Sequence, residues 1–520
     1  MGWDMGWRWS RAVVLVLTTG CYDSFEMGAG IDSGDESEVE TPFEQTAGFI
    51  TVPAREVAAN LGIRWGGTAS ESRIFYALIP ADTDAVDMPL LVIYNGGPGA
   101  ATTSGLFMYG MGPYWIDYLS GDLSLKENPN SFTAIGNLLF LDLADAGFSY
   151  GVIPHPESAL DRAAEDNFYN FGMLTDAANT LLAVLGVMAK IPALRDNPVV
   201  FVGESWGGAR TAAVSELLSH PATLSDPAAL FYDPVLQDAL KAHFREVMPE
   251  QSFAALTRKE TAAQFGWQVL LQPGHILEAD YMWGGVCTNY LKRDDPRIPL
   301  CEAGNGGHDI RYENAYDGLH GAAVHYFLNP DDFETLFGVP PRSIEGLPAS
   351  ERSGAFRFDF LEDPAANPSS WNEEMGILPP YDDYHVQFGG VESYPNVNDA
   401  QIATLPFIQS LMHVHTFVSI AYYDGVVDSL RLGFSLAVSA DHLPVPLIED
   451  LDFDDATRDG VARPGWMTVE FTEAAGLGED AIRTIRMPTY FDSGHMIPLT
   501  EAGPLREDVR QFLSERGAYR

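Results

Sequence analysis

The sequence predicts an α/β protein built on an open, mostly parallel sheet, and three observations carry that prediction. Short continuous apolar runs, Pro89–Tyr94, Asn137–Asp142 and Pro198–Val202, have the character of strands buried on both faces. A helix-period stretch, Asp166–Lys190, separates the second run from the third. Sharp Gly-rich turns, Asn95–Gly99 and Gly203–Gly207, stand at the carboxyl ends of two of these strands, where open α/β sheets bind their ligands.

The remaining elements follow in chain order. Residues 1–20 read as a signal peptide: Arg8 and Arg11 precede the short apolar stretch Ala12–Thr19, and Gly20 stands before Cys21. Cys21 after a small residue resembles a bacterial lipoprotein cleavage site, which implies lipidation of Cys21, export, and an anchor in a bacterial membrane. Residues 21–45 read as a flexible acidic tether, because Gly28–Thr41 is too rich in Gly, Ser, Asp and Glu to bury apolar surface. Gly48–Val52 and Ser72–Pro80 read as strands, and Asp233–Met248 as an amphipathic helix. From 216 to 404 the βα alternation gives way to Pro, Gly and Asp, including the loops 304–307 and 361–379, and this block reads as an inserted cap over a core formed by 46–215 and 405–520. Sheet character returns at Phe417–Tyr423 and Thr484–Tyr490, and Pro504–Arg516 reads as a closing helix.

Composition narrows the function. Of 520 residues 30 are Lys or Arg and 73 are Asp or Glu, a formal net charge of −43, which repels a phosphate backbone and argues against nucleic acid as a partner. Cys287 and Cys301, in an exported chain, are expected to form a disulfide closing a loop of about 15 residues, contributing ~3 kcal/mol in the chain-entropy view. Asp450–Asp455 resembles a Ca²⁺ loop but lacks its turn glycine and its final Glu, so it reads as a solvated acidic loop. Neither a metal nor an organic cofactor is needed for the chemistry that follows.

Gly203-Glu204-Ser205-Trp206-Gly207 is a G-x-S-x-G between an apolar strand and a helical segment. A nucleophile on so tight a turn needs small flanks, and the turn aims a helix N-terminus at developing negative charge. Ser205 is therefore the candidate nucleophile. A serine hydroxyl needs a base oriented by an acid, in the chain order Ser, acid, His. His495 lies in the small-residue loop Ser493–Pro498 beyond the candidate acids and is the expected base. His413 and His415 read as structural, on a helix before the acid strand. Asp428 is favoured over Asp424 as the orienting acid, since Asp424 directly follows the strand and suits a turn cap. The amide of Trp206 and a second amide from the Asn95–Gly99 loop are placed to form an oxyanion hole.

Taken together the chain resembles the serine carboxypeptidases, α/β-hydrolases that remove C-terminal amino acids. The resemblance runs from about 70 to 515 and rests on Asn95–Gly99, Gly112-Pro113, Asp122–Leu125 with Asn128-Pro129, Leu139–Asp142 with Gly147–Tyr150, Gly203–Ser205 and Gly494–Pro498. It implies the α/β-hydrolase fold with an inserted cap, the triad Ser205, His495 and Asp428, an oxyanion hole formed by the amides of Gly97 and Trp206, and a subsite in which Asn95, Gly96 and Glu204 hold the terminal carboxylate of a peptide or protein. Two carboxylates at hydrogen-bond distance cannot both stay ionised, so an acidic optimum is expected. The same triad also serves esterases and acyltransferases, the alternative reading. Three positions depart from the family: Ile93 where Trp is usual, Ala100 where Cys is usual, and Gly110 where a Glu normally bonds the residue matching Glu204.

Overall fold

The computed structural model describes residues 43–519 except 60–66, 70, 97–100, 118–122, 144–145, 153–172, 205, 230, 245–267, 272–322, 324–325, 328, 344–413, 422–447, 455–456, 459–460, 463–465, 472–483 and 491–495. Its main sheet has ten strands in line: β1 (Thr46–Val52), β2 (Ser72–Ile79), β3 (Leu90–Tyr94), β4 (Asn137–Leu141), β5 (Val199–Gly203), β6 (Gln268–Leu271), β7 (Thr416–Val418), β8 (Ile448–Asp454), β9 (Trp466–Phe471) and β10 (Thr484–Tyr490). Their spatial order is β1-β2-β4-β3-β5-β6-β7-β10-β9-β8. The six from β4 through β10 along this path are mutually parallel. Antiparallel pairs flank them on both sides. This is the open, mostly parallel α/β sheet that the sequence predicts.

The apolar runs behave as strands buried on both faces should. Leu90, Val92 and Tyr94 of β3 enter one hydrophobic cluster, while Leu91 and Ile93 enter the other. The first cluster is closed by α1 (Met173–Lys190), α2 (Trp206–Ser219) and α3 (Pro234–Phe244). The second is closed by the turn at 107–111, by α4 (Pro330–Phe337) and by α5 (Ile497–Glu515). Ile93, where the family usually has Trp, is fully buried there.

Several boundaries differ from the sequence expectation. Residues 268–271, inside the block read as a cap, form β6 at the middle of the sheet, between β5 and β7. Four residues are too few to stand out from their surroundings by period. Leu236, Leu240 and Phe244 of α3 likewise pack into the sheet's own core, so the insertion is not one separate body starting at 216. The tether ends earlier than 45: Phe43 is buried, and Gln45 Nε2 donates to the carbonyl of Leu336 at 2.7 Å, at the end of α4. Most of Asp450–Asp455, expected to be a loop, lies in strand β8, where Leu451 and Phe453 alternate with acidic residues at the strand period. His415 precedes β7 directly instead of lying on a helix; burial and the nearby Arg516 pull its imidazole down to about 4. α5 begins at Ile497, seven residues before the expected start at Pro504, with a kink at Glu501 that absorbs the proline. Cys21, Cys287, Cys301, Asp424 and His413 lie outside the described residues. Among the described residues no helix is long and apolar enough to cross a membrane.

Two packing details fix the loops over the carboxyl edge of the sheet. Asp142, following β4, is fully buried, and its carboxylate accepts four hydrogen bonds: from the amides of Thr102, Thr103 and Phe148 and from the Thr103 hydroxyl. It thereby ties the segment after Asn95–Gly99 to the segment 146–149. Burial pushes its carboxyl up to about 6, against the pull of those donors. The second detail is a π turn at Phe107–Met111, closed by the Gly112 amide on the Phe107 carbonyl at 3.1 Å. A Cβ on Gly110 would stand 2.4 Å from the carbonyl oxygen of Pro498. The backbone of α5's first turn thus fills the space that any side chain at 110 would need.

Two outcomes are expected. Because Asp142 holds its proton more tightly folded than unfolded, its contribution to stability is present below about pH 4 and is lost as pH rises through about 6. Chemical denaturation should show the stability gap between wild type and Asp142→Asn to be wider at pH 4 than at pH 7, by on the order of 1–3 kcal/mol; parallel pH profiles would contradict the assignment. Gly110→Ala should lower stability by about 1–3 kcal/mol, read as a depressed Tm, because the intruding methyl meets backbone.

Candidate active site

Four parallel strands, β3, β5, β7 and β10, end at one edge of the sheet, with β6 between β5 and β7. Tyr94, at the end of β3, is opposite Gly203 at the end of β5. Val418 of β7 is opposite Leu271, and Ile420-Ala421 pair in parallel with Thr489-Tyr490 of β10. The sequence then continues into Asn95-Gly96, Glu204–Trp206, Asp424–Asp428 and Ser493–His495 respectively. Ser205, Asp428, His495 and Gly97 lie outside the described residues, so the described geometry concerns their neighbours.

The turn after β5 explains its glycines. A Cβ at Gly203 would lie 2.2 Å from the Gly207 carbonyl oxygen and 2.7 Å from Thr211 Oγ1. The chain folds back onto itself there, with the Gly207 amide donating to the Glu204 carbonyl at 2.8 Å, and Trp206 opens α2. Only glycine lets strand and helix approach so closely.

Glu204 is brought to Asn95. The side chain of Asn95 donates from Nδ2 to Glu204 Oε1 at 2.8 Å and to the Tyr109 hydroxyl at 2.8 Å, and the Tyr109 hydroxyl donates to the same Glu204 oxygen. Asn95 Oδ1 accepts from the Leu106 amide at 2.9 Å. A backbone amide can only donate, so this contact fixes which way the Asn95 amide faces. The main chain of Asn95 is bound as well: its amide donates to Thr102 Oγ1 at 3.0 Å, and its carbonyl accepts from Arg210 Nη1 at 2.7 Å. All three side chains are buried, at 5%, 0% and 3% exposure for Asn95, Tyr109 and Glu204. Gly96 is buried beside them.

Arg210 anchors this group from below. It is 2% exposed, pairs through Nε with the buried Asp176 of α1, and lies 5.2 Å from the centre of the Tyr94 ring. The Tyr94 hydroxyl shares a 2.8 Å hydrogen bond with Thr211, and burial raises its pKa. On the other side a small cavity of about 30 Å³ adjoins Glu204, lined by Leu106, Met111, Phe132, Phe417 and Pro498 among others. This apolar surround lowers the local dielectric, so the polar contacts of Glu204 are stronger than they would be in water. Among the described residues no group of three or more His, Cys, Asp and Glu side chains is arranged to hold a metal ion.

The structure thus joins two of the residues expected to hold a substrate carboxylate, Asn95 and Glu204. It also adds two that the sequence reading missed. Tyr109 was hidden because the family's Glu is counted two residues before Gly112-Pro113, which falls on Gly110. A π turn holds one residue more than an α turn and brings position 109 to Glu204. Arg210 had a visible signal, a single cation in the otherwise uncharged opening turns of α2.

Comparisons with known proteins agree with the stretch that carries this site. The serine carboxypeptidase family profile matches residues 37–228. A serine carboxypeptidase S10 family member from Dictyostelium discoideum is 30% identical over 140 residues, 27% of this chain and 30% of its own length. Serine carboxypeptidase-like 44 of Arabidopsis thaliana is 27% identical over 211 residues, 39% of this chain and 38% of its own. The aligned part therefore spans about a third of the length of these relatives. Among solved structures, a prohormone-processing carboxypeptidase from Saccharomyces cerevisiae aligns over 92% of this chain and 93% of its own, with 14% identity and a TM-score of 0.41. Over residues 37–228, the chain is similar to the serine carboxypeptidases.

Proposed function

We propose that the protein is an exported serine carboxypeptidase that releases C-terminal amino acids from peptides through an acyl-enzyme. The observation that carries this reading is the buried Asn95–Glu204 contact of 2.8 Å, one residue before the candidate nucleophile. A buried carboxyl group next to the site of acyl transfer suits a ligand that itself ends in a carboxylate. Ser205 attacks the last peptide carbonyl, His495 takes its proton and returns it to the leaving amine, and Asp428 orients the imidazole. The amides of Gly97 and Trp206 receive the oxyanion. Water then attacks the acyl-enzyme. Glu204, in its protonated form, meets the terminal carboxylate of the substrate, with Asn95 and Gly96 beside it. The basic start, short apolar stretch and Gly20-Cys21 junction support export with a lipid anchor at Cys21, and export supports a Cys287–Cys301 disulfide.

Two measurements test the reading. A fluorophosphonate probe should label wild type and not Ser205→Ala, and amino-acid release from a peptide library should fall at least about 10³-fold in that variant. Labelling without amino-acid release would instead place the chain among esterases or acyltransferases. On a blocked dipeptide with a free C-terminus, kcat/KM should decline between about pH 4 and pH 8, approaching tenfold per pH unit once Glu204 loses its proton. A substrate ending in an ester or amide should decline less steeply. A flat profile on the free acid would remove Glu204 from carboxylate recognition.

A further inference from the structure

We infer that Tyr109 is a positioning residue for substrate selection: its hydroxyl holds Glu204 in the one orientation that recognises a free C-terminal carboxylate. The inference rests on the carboxypeptidase reading above and deepens it. Glu204 Oε1 receives two donors, the Asn95 amide and the Tyr109 hydroxyl. Two donors occupy both lone pairs of that oxygen, so a proton bound to Glu204 resides on Oε2. The O–H that meets the substrate carboxylate is thereby assigned to a single atom before substrate arrives, which removes an ordering cost from binding.

Asn95 alone does not secure this. Its Nδ2 faces Glu204 and the Tyr109 hydroxyl on one side and shares a hydrogen between them, while its Oδ1 is held by the Leu106 amide. Tyr109 is thus both acceptor from Asn95 and donor to Glu204, and it closes a three-membered ring of hydrogen bonds. Its ring is fully buried on the π turn 107–111, so the hydroxyl has no freedom to leave. The neighbouring position gives no substitute, because the Pro498 carbonyl occupies the space a side chain at Gly110 would take. A tyrosine here brings a neutral donor where an acid would bring a second ionisable carboxyl. Among the described residues, Glu204 is then the one carboxyl group in this hydrogen-bonded ring to set against the carboxylate of the substrate.

The test compares Tyr109→Phe with wild type on matched blocked dipeptides ending in a free acid or in a primary amide, with kcat and KM measured separately. Removing a hydrogen bond to an ionisable group should raise the ratio of free-acid KM to amide KM about tenfold or more. A merely structural tyrosine would shift both substrates by the same factor, and an unchanged ratio overturns the inference. Should Tyr109→Phe not fold, Glu204→Gln decides. Its amide carbonyl accepts from the same two donors and its N–H₂ needs no proton, so its free-acid to amide ratio should no longer vary with pH. A ratio that keeps the wild-type pH dependence overturns the inference. The wild-type arm separates the two levels: if wild type releases no amino acid, the carboxypeptidase reading fails and this inference with it, whereas release by wild type with an unmoved ratio in Tyr109→Phe overturns this inference alone.

Discussion

Every polar group of Asn95 is committed, and the site depends on that commitment. Its amide, carbonyl, side-chain oxygen and side-chain nitrogen bind Thr102, Arg210, Leu106, Glu204 and Tyr109 in turn. These partners belong to the loop after β3, the π turn, the turn after β5 and helix α2. One buried residue therefore locks four separate segments at the carboxyl edge of the sheet. In an apolar surround the loss of any one partner leaves a desolvated group behind, which is costlier than the bond itself is stabilising. That asymmetry keeps the loops in register and holds Glu204, the residue before the candidate nucleophile, against Asn95 and Tyr109.

The support beneath this node is ionic and the support beside it is carboxylate. Arg210 enters an apolar core because Asp176 and the Asn95 carbonyl satisfy it, and because its plane rests on Tyr94. Removal of either charge would strand the other, as is usual for buried pairs. Asp142 does comparable work for the adjoining loop, with three amides and one hydroxyl on a single carboxylate. The site is thus framed by groups that are buried only because each is bonded, and none of its framing contacts relies on exposed charge.

How much of this the sequence made legible follows from which signals are local. The strands β3, β4 and β5 were visible because both faces of each are apolar, and the Gly203–Gly207 turn was visible because close backbone approach demands glycine. β6 escaped because four residues carry no period. β8 escaped because its acidic content resembles a loop, although Leu451 and Phe453 keep the strand alternation. Asn95 and Glu204 could be named from their motifs, but not their mutual contact, which spans 109 positions of chain. Tyr109 was displaced from the family register by one residue, and such a shift becomes interpretable only when the π turn that absorbs it is seen. The same turn explains Gly110: a gap in the family pattern, read along the chain as a lost contact, is in three dimensions the place where Pro498 docks.

Proton uptake links these features in one direction. The Asp142 carboxyl is pushed up to about 6 by burial, so acidification neutralises a charge that folding had desolvated. A chain with 73 acidic against 30 basic residues also repels itself less as its carboxylates protonate. A carboxylate ligand meeting Glu204 requires a proton at that contact for the same electrostatic reason, since two like charges in a low-dielectric site cannot both persist. Stability of the loop scaffold and occupancy of the candidate subsite therefore respond to pH with the same sign. An enzyme whose framing residues gained their proton only where its ligand lost one would have to bind substrate on a weakened scaffold. Here the burial of Asp142 and the chemistry proposed for Glu204 avoid that opposition, because both draw on one physical fact, the cost of an ionised carboxyl away from water.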